Sequence, residues 1–145
     1  MRLMAATLIA LLCSVVYSQE THSAAMQRMV HTNVFAFGGT GPAGVISQGE
    51  RDFRIILSQS APVADADFER IYASGNSEAK SYALAGIRRL DPKRFKELLE
   101  SLKVSDEKVV TMEGCIVEER PLFKVAQDIN SGRYDPWLRP QKQSD

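Results

Sequence analysis

The fold of this chain is decided by residues 68–102, which have the sequence FERIYASGNSEAKSYALAGIRRLDPKRFKELLESL. Gly75-Asn76 and Asp91-Pro92 divide this stretch into three segments, each with apolar residues at helical spacing. Asp91 can cap a helix that begins at Pro92, because a proline at the first helical position needs no hydrogen-bond partner. Connections this short favour helices that pack as antiparallel hairpins. The stretch therefore predicts a mainly α-helical fold.

The middle and last segments predict different kinds of packing. In the middle segment Ala79, Ala83 and Gly86 are small, which would let this helix approach its partner closely. The last segment carries a stripe of larger apolar residues at helical spacing: Phe95, Leu98, Leu99 and Leu102. We expect Leu99, in the middle of that stripe, to lie in the core, so that its replacement by alanine would leave a cavity.

One further helix is predicted before this stretch, and the first helix of the stretch begins a few residues upstream of Phe68. Ser47 and Glu50 have the spacing of a capping box, in which the serine accepts from the Glu50 amide and the glutamate reaches back to the cap. Pro62 is expected to end that helix, and Asp65 to cap the next one, which runs towards Gly75.

A change of pattern follows after Val104. Residues 108–117, KVVTMEGCIV, are rich in β-branched side chains and predict one short β-strand or a small hairpin that turns at Glu113-Gly114. Pro121 then opens a last helix, which Gly132 ends. Trp137 is expected to pin the remaining segment to the body.

The first 18 residues, MRLMAATLIALLCSVVYS, have the layout of an export signal. Arg2 is their only charge, and the apolar run from Leu3 to Val16 is short for a membrane span of about 20 residues. We expect cleavage after Ser18 and a location in the periplasm or outside the cell. The alternative is an uncleaved N-terminal anchor.

The chain of 145 residues suits one folded domain. We expect a signal peptide at 1–18, a flexible leader at 19–37, a single helical domain at 38–140 and a frayed tail at 141–145. Without residues 1–18 the formal net charge is −1, because this segment contains one basic residue, Arg2, and no acidic residue. A nearly neutral protein has no overall field that attracts nucleic acid, so nucleic acid is not expected as a partner.

Cys115 is the only cysteine outside the export signal. An internal disulfide is therefore impossible in the processed chain. A lone cysteine in an oxidising compartment is buried, paired with another chain, or reactive. We expect Cys115 to be buried, since a free cysteine commonly packs as a small apolar side chain.

Two motifs suggest ligands, and neither has the context that its chemistry needs. Residues 39–44 match the GxGxxG fingerprint, but no second strand follows the next predicted helix, so we expect a structural turn or a surface contact and no cofactor. His22, Met26, Met29 and His31 offer soft ligands that suit Cu(I). This metal site remains an alternative to an ordinary solvated segment.

A basic cluster forms the candidate partner surface. Arg88, Arg89, Lys93 and Arg94 lie where two predicted helices meet, and Lys96 follows them. Such a cluster can contact phosphate or an acidic partner, and it can also be a solvated face.

Catalytic side chains are sparse in the sequence. Both histidines lie in the predicted leader, and Cys115 has no base near it in sequence. We expect no enzymatic activity and assign no catalytic residue. The alternative is a small exported enzyme or redox protein that uses Cys115.

The residues also resemble known proteins in two ways. Residues 68–95 resemble the helix pairs of HEAT-like repeat proteins, which present surfaces to other proteins. The combination of GGTGPAG, SQGE, YALAG and EGCIV within residues 38–117 resembles a set of small exported bacterial proteins, some with relatives in microcin gene clusters. These resemblances imply a non-enzymatic binding or accessory protein of the cell envelope, whose partner is another envelope protein. Cleavage of residues 1–18 is expected to leave no stable membrane span.

Overall fold

The structure is a computed structural model that describes residues 21–139. The predicted signal peptide at 1–18 and the predicted frayed tail at 141–145 lie outside these residues. None of the helices within 21–139 is both long enough and apolar enough to cross a membrane.

The described residues form a mainly α-helical fold with two small antiparallel strand pairs, which confirms the predicted fold class. The helices are α1 (21–29), α2 (Gln48–Leu57), α3 (Ala61–Ser74), α4 (Ser77–Leu90), α5 (Pro92–Ser101), α6 (Leu122–Asn130) and α7 (Asp135–Leu138). A 3-10 turn covers Leu102–Val104. The strands are β1 (Gly39–Thr40), β2 (Val45–Ile46), β3 (Lys108–Glu113) and β4 (Ile116–Pro121).

Helix α4 lies at the centre and contacts α2, α3, α5, α6, α7 and β3. All residues from Ser81 to Ile87 are buried, although helical spacing predicts one buried face only. Leu84 and Ala85 are buried on the opposite side, because neighbours cover the helix all round. The number of neighbours depends on the whole fold, so the pattern within α4 did not reveal it.

Helices α3 and α4 pack closely through a glycine. A Cβ atom added at Gly86 would lie 2.4 Å from the ring of Phe68, which is far inside normal contact distance. The prediction that small residues in this helix allow a close approach is confirmed at this position.

The predicted flexible leader is wrong for the residues that the structure describes. Residues 21–29 are helical, and Ala25 and Met29 are fully buried. Phe35 and Phe37 are also part of the core. The many polar residues of 21–29 suggested a loose segment. They lie on the outer face of α1, while the apolar side chains of Ala25 and Met29 point inward. The folded domain therefore begins before residue 38.

Two of the three predicted helix caps, Ser47 and Asp91, are correct, and Asn76 acts as a further cap. Ser47 accepts from the backbone N–H of Glu50, Asn76 caps α4, and Asp91 accepts from two backbone N–H groups of α5. Asp65 is not a cap, because α3 begins four residues earlier with Ser60 as its N-cap. Pro62 lies in the first turn of that helix, where a proline is tolerated.

The stripe of α5 is rotated relative to our expectation. Phe95 and Leu98 are buried, whereas Leu99 is half-buried against the edge of the core. Leu98 is therefore the better site for a cavity-forming substitution.

Strands β3 and β4 form a hairpin that extends beyond the predicted range, to Pro121. Its register runs from Lys108↔Pro121 to Glu113↔Ile116. The outer edge of β3 bonds to the segment before β1: Phe35 donates to the carbonyl of Val110 at 2.8 Å, and Met112 donates to the carbonyl of Phe35 at 3.0 Å. These bonds hold the leader segment beside the hairpin.

Candidate binding cleft

A cleft of about 310 Å³ lies between the β3–β4 hairpin and the connection from α6 to α7. Phe35, Phe37, Tyr134 and Trp137 give it an aromatic floor. This volume is at the lower end of the range for small-molecule sites, about 300–1,000 Å³, and aromatic linings are typical of such sites. The cleft is therefore the principal candidate for a functional site.

The aromatic floor is built from edge-to-face contacts. The ring centroids of Phe35 and Tyr134 are 5.1 Å apart at an interplanar angle of 78°, and those of Phe35 and Phe37 are 5.4 Å apart at 87°. Such arrangements are favourable because the positive edge of one ring meets the negative face of the other. Burial raises the pKa of Tyr134, so its phenol stays protonated beyond the usual range.

The hairpin forms one wall of the cleft. Paired residues of antiparallel strands share a face, so Glu113 and Ile116 both face the cleft, as do Thr111 and Glu118. Ile116 is 70% exposed, although it is large and apolar. The wall thus combines acidic groups with an uncovered apolar side chain.

Ion pairs close the opposite side of the cleft. Arg133 contacts Glu113 at 2.5 Å and Asp128 at 3.2 Å, while Arg120 contacts Asp128 at 2.7 Å. Asp128 thus links the hairpin to the end of α6. Partial burial acts to lower the pKa of the Arg133 guanidinium, but the nearby acids outweigh it and the net pKa is raised.

The first glycine of GGTGPAG has a packing role at the cleft. Gly38 has φ +82°, and a Cβ atom there would lie 2.9 Å from the indole Nε1 of Trp137. A larger residue would therefore displace the indole from the floor of the cleft. Gly41 and Gly44 also have positive φ, and they form the turn of the β1–β2 hairpin. A turn between two short strands is not the strand-to-helix turn of a dinucleotide site, so the predicted structural turn is confirmed.

A buried carboxylate holds this glycine in place. Glu50 is fully buried, accepts from the backbone N–H of Gly38 at 2.7 Å and forms an ion pair with Arg54. The capping box is therefore only half formed, because the Glu50 carboxylate binds Gly38 instead of reaching back to Ser47. This contact ties α2 to the floor of the cleft.

A buried tyrosine supports the floor from below. The hydroxyl of Tyr82 donates to the carbonyl of Ala36 at 2.8 Å and accepts from the Ala36 N–H at 3.0 Å. Both polar groups of Ala36 are thus satisfied by one side chain, between the two floor residues Phe35 and Phe37. Burial raises the pKa of Tyr82 to about 12.

We expect this phenol to make the protein sensitive to alkali. The pKa in the folded state lies above the ordinary value of 10.0, so folding favours the protonated phenol. Its contribution is complete below pH 10 and is lost as the pH rises from 10 through 12. Two pKa units correspond to roughly 3 kcal/mol. Urea unfolding at pH 8, 10 and 11 measures this loss of stability. In the Tyr82→Phe variant, stability should depend much less on pH over this range. An equally steep loss in that variant would contradict this origin.

The prediction that Cys115 is buried is wrong, because Cys115 is exposed. Gly114-Cys115 is the two-residue turn of the hairpin, with Gly114 at φ +58°. A glycine with positive φ at the first of two turn positions suits the tight turns of hairpins. Strand alternation, on which the prediction depended, does not extend into this turn.

We expect the thiol of Cys115 to react freely. A thiol reagent should label the native protein at nearly the same rate as the denatured protein, because the Cys115 side chain is exposed. The absorbance of the thiolate that the reagent releases measures the labelling rates of the native and the denatured protein. Labelling that is much slower in the native protein would show that the thiol is shielded.

The predicted basic surface is divided between two sides of α4 and α5. Arg94 pairs with Glu69 of α3 at 2.9 Å, whereas Arg88 pairs with Asp135 of α7. Arg89 donates to the carbonyl of Leu138 at 2.6 Å. Lys93 is exposed and has no acidic partner within residues 21–139. The four residues therefore do not form one continuous surface.

The soft ligands proposed for Cu(I) have other partners. Met29 is fully buried and Met26 packs against the core, while His22 lies 2.8 Å from Asp67. His31 is exposed. Over the described range 21–139, no group of three or more His, Cys, Asp or Glu side chains is arranged to hold a metal ion.

Comparisons with known proteins provide no relative: no family model matches the chain, and neither the curated proteins nor the solved structures contain a match. The cleft itself is therefore the main indication of function. The cleft was not predictable from the sequence, because its floor joins residues near 35 with residues near 135. The cluster of Tyr134 and Trp137 in a short polar segment is the one sequence signal that could have suggested it.

Proposed function

We propose that the protein is an exported, non-enzymatic binding or accessory protein of the cell envelope and that the aromatic cleft is where it binds its partner. The observation that carries this proposal is the cleft, with its aromatic floor beside a wall that leaves the apolar side chain of Ile116 uncovered. Export is supported by the composition of residues 1–18, which lie outside the described structure.

The hairpin suits a partner that is itself a protein. In a hairpin with a two-residue turn, the Glu113↔Ile116 and Thr111↔Glu118 pairs exchange both backbone bonds. The N–H and C=O groups of Val117 and Glu119 therefore point away from β3. Within residues 21–139 no strand pairs with this edge of β4. An extended segment of a partner can add to such an edge and place alternate side chains beside the cleft.

Exposed apolar side chains at the hairpin support the same proposal. Ile116 and Val117 are 70% and 60% exposed and adjoin the free edge. Burial of such side chains by a partner is favourable by about 25 cal/mol per Å² of apolar surface. The resemblance of residues 68–95 to HEAT-like pairs adds an analogy, since those pairs also present surfaces to proteins.

Site-specific photo-cross-linking tests the binding proposal. A photoreactive amino acid is placed at Ile116 in one variant and at Val104, which is 94% exposed, in a control variant. After irradiation in intact cells, we expect Ile116 to give one dominant protein adduct that Val104 does not give. The same adducts from both positions, or none from Ile116, would contradict binding at the cleft.

Export is tested separately. Mass spectrometry of the protein from the cell envelope should find Gln19 at the N-terminus. Recovery of the intact Met1 form from the soluble envelope fraction would contradict cleavage.

The exposed thiol of Cys115 favours the alternative, a redox function. Cys115→Ser separates the two functions, because it removes the thiol and keeps the turn. A binding protein should keep the Ile116 adduct in this variant. If Cys115→Ser abolishes the protein's biological activity in cells but leaves the Ile116 adduct unchanged, the redox alternative is favoured.

A further inference from the structure

A second cavity lies on the other side of α7 from the aromatic cleft. This groove of about 410 Å³ runs between the corner of α4 and α5 and the segment that follows α6. Its lining includes Arg88, Arg89, Lys96 and Arg139, but only one acid, Asp135. The groove is thus strongly basic in a protein whose formal net charge is zero.

Three of the four cations in this groove lack an acidic partner among residues 21–139. Arg88 is neutralised by Asp135, the only acid in the lining. Arg89, Lys96 and Arg139 have no carboxylate within ion-pair distance in the described chain, and all three are exposed. Lys93 precedes Lys96 by one turn of α5 and adds another unpaired charge beside the groove. These like charges repel each other, because Arg88 takes the one carboxylate in the lining.

The guanidinium of Arg89 is fixed at the edge of the groove. Its Nη1 donates to the backbone carbonyl of Leu138 at 2.6 Å. One contact to a carbonyl leaves most of the five N–H donors of an arginine free. A guanidinium held in this way loses less conformational freedom when it binds an anion.

We propose that this groove binds a phosphoryl group of a ligand. A phosphate offers several acceptor oxygens and up to two negative charges, which suit the free donors of Arg89, Lys96 and Arg139. A single carboxylate would neutralise only one of the three unpaired charges. The inference is independent of the proposed function, because the groove and the aromatic cleft have no lining residue in common.

The test uses the full processed protein and three probes: inorganic phosphate, pyrophosphate, and vesicles of phosphatidylglycerol with phosphatidylcholine. Calorimetry and amide NMR shifts measure binding of the soluble probes, and sedimentation measures vesicle binding. The double variant Arg89→Gln/Lys96→Gln should bind any probe that the unmodified protein binds at least tenfold more weakly. Amide shifts in the unmodified protein should be largest around Arg89, Lys96 and Leu138.

A matched control variant is available elsewhere on the surface. Arg51 is exposed, has no acidic partner within residues 21–139 and donates to the carbonyl of Ile46 at 3.0 Å, as Arg89 does to Leu138. Lys124 is an exposed helical lysine with no acidic partner in the same range, like Lys96. Arg51→Gln/Lys124→Gln removes the same charge outside the groove and should change the binding less than twofold.

The outcomes separate the possible sources of the phosphoryl group. Binding of phosphate or pyrophosphate supports a soluble phosphorylated ligand, and binding of phosphatidylglycerol vesicles alone supports a lipid headgroup. Equal losses in the two double variants, or no binding of any probe, would overturn the proposal. Binding of an octaglutamate peptide without binding of the three phosphate probes would also overturn it. Lys96→Gln alone repeats the test if the double variant fails to fold.

Discussion

Glu50→Ala is expected to lower the free energy of unfolding by about 3–5 kcal/mol, the range for removing one member of a buried ion pair. Glu50 is fully buried, and its partner Arg54 is only 28% exposed. The substitution leaves the guanidinium without its partner and the Gly38 N–H without its acceptor. Because that N–H lies at the floor of the aromatic cleft, the same change should also weaken the Ile116 cross-link.

Urea unfolding at neutral pH measures this loss, and Glu113→Ala is the matched control. Glu113 is also a glutamate paired with an arginine, but it is 76% exposed, so its removal should cost less than about 1 kcal/mol. Glu50→Gln should fall between the two variants, because the amide oxygen can still accept from Gly38. If the two alanine variants were equally stable, the buried pair would have no special role.

The other large effect is expected from Gly86→Leu, which should lower the free energy of unfolding by about 3 kcal/mol or more. Even a Cβ atom at this position would lie 2.4 Å from the ring of Phe68. Overpacking a dense core usually costs about 1–3 kcal/mol, and a leucine adds three atoms beyond the Cβ. Because α4 is covered on all sides, the extra atoms have no direction in which to move.

A double-mutant cycle shows whether the ring of Phe68 causes this loss. Phe68→Ala alone should be destabilising, but together with Gly86→Leu it should cost much less than the sum of the two changes, since the leucine can enter the vacated space. Ala66→Leu, at an exposed position of α3, is the control for adding a leucine and should change stability by no more than about 0.5 kcal/mol. Strict additivity of the two core changes would contradict the packing explanation.

Features that depend on a few neighbouring residues were predictable from the sequence. Ser47 and Asp91 cap their helices as expected, and Gly132, with φ +85°, lies just beyond the end of α6. These predictions succeeded because a cap bonds to backbone groups two or three residues away. Asp65 fits the same preference but lies inside α3, because Pro62 in the first turn had already started the helix.

Features that depend on distant residues were not predictable in the same way. The polar residues of 21–34 suggested a loose leader, and the alternation around Cys115 suggested a buried thiol. Phe35 is nevertheless buried because β3 and Tyr82 lie against it, and Cys115 is exposed because the hairpin turns there. The contacts that bury Phe35 come from distant residues and leave no local pattern in the sequence. The Cys115 prediction failed for a local reason, because the turn falls at Gly114-Cys115 and not at Glu113-Gly114.

The sequence by itself determined that the chain forms several capped helices with short connections and an extended, β-branched segment near residues 108–117. Only the tertiary structure decided what can bind. The aromatic cleft joins Phe35 to Trp137, and the basic groove joins Arg89 to Arg139. Local hydrogen bonds fix helices over short stretches of chain, whereas burial and the neutralisation of charge depend on which distant segments meet when the chain folds.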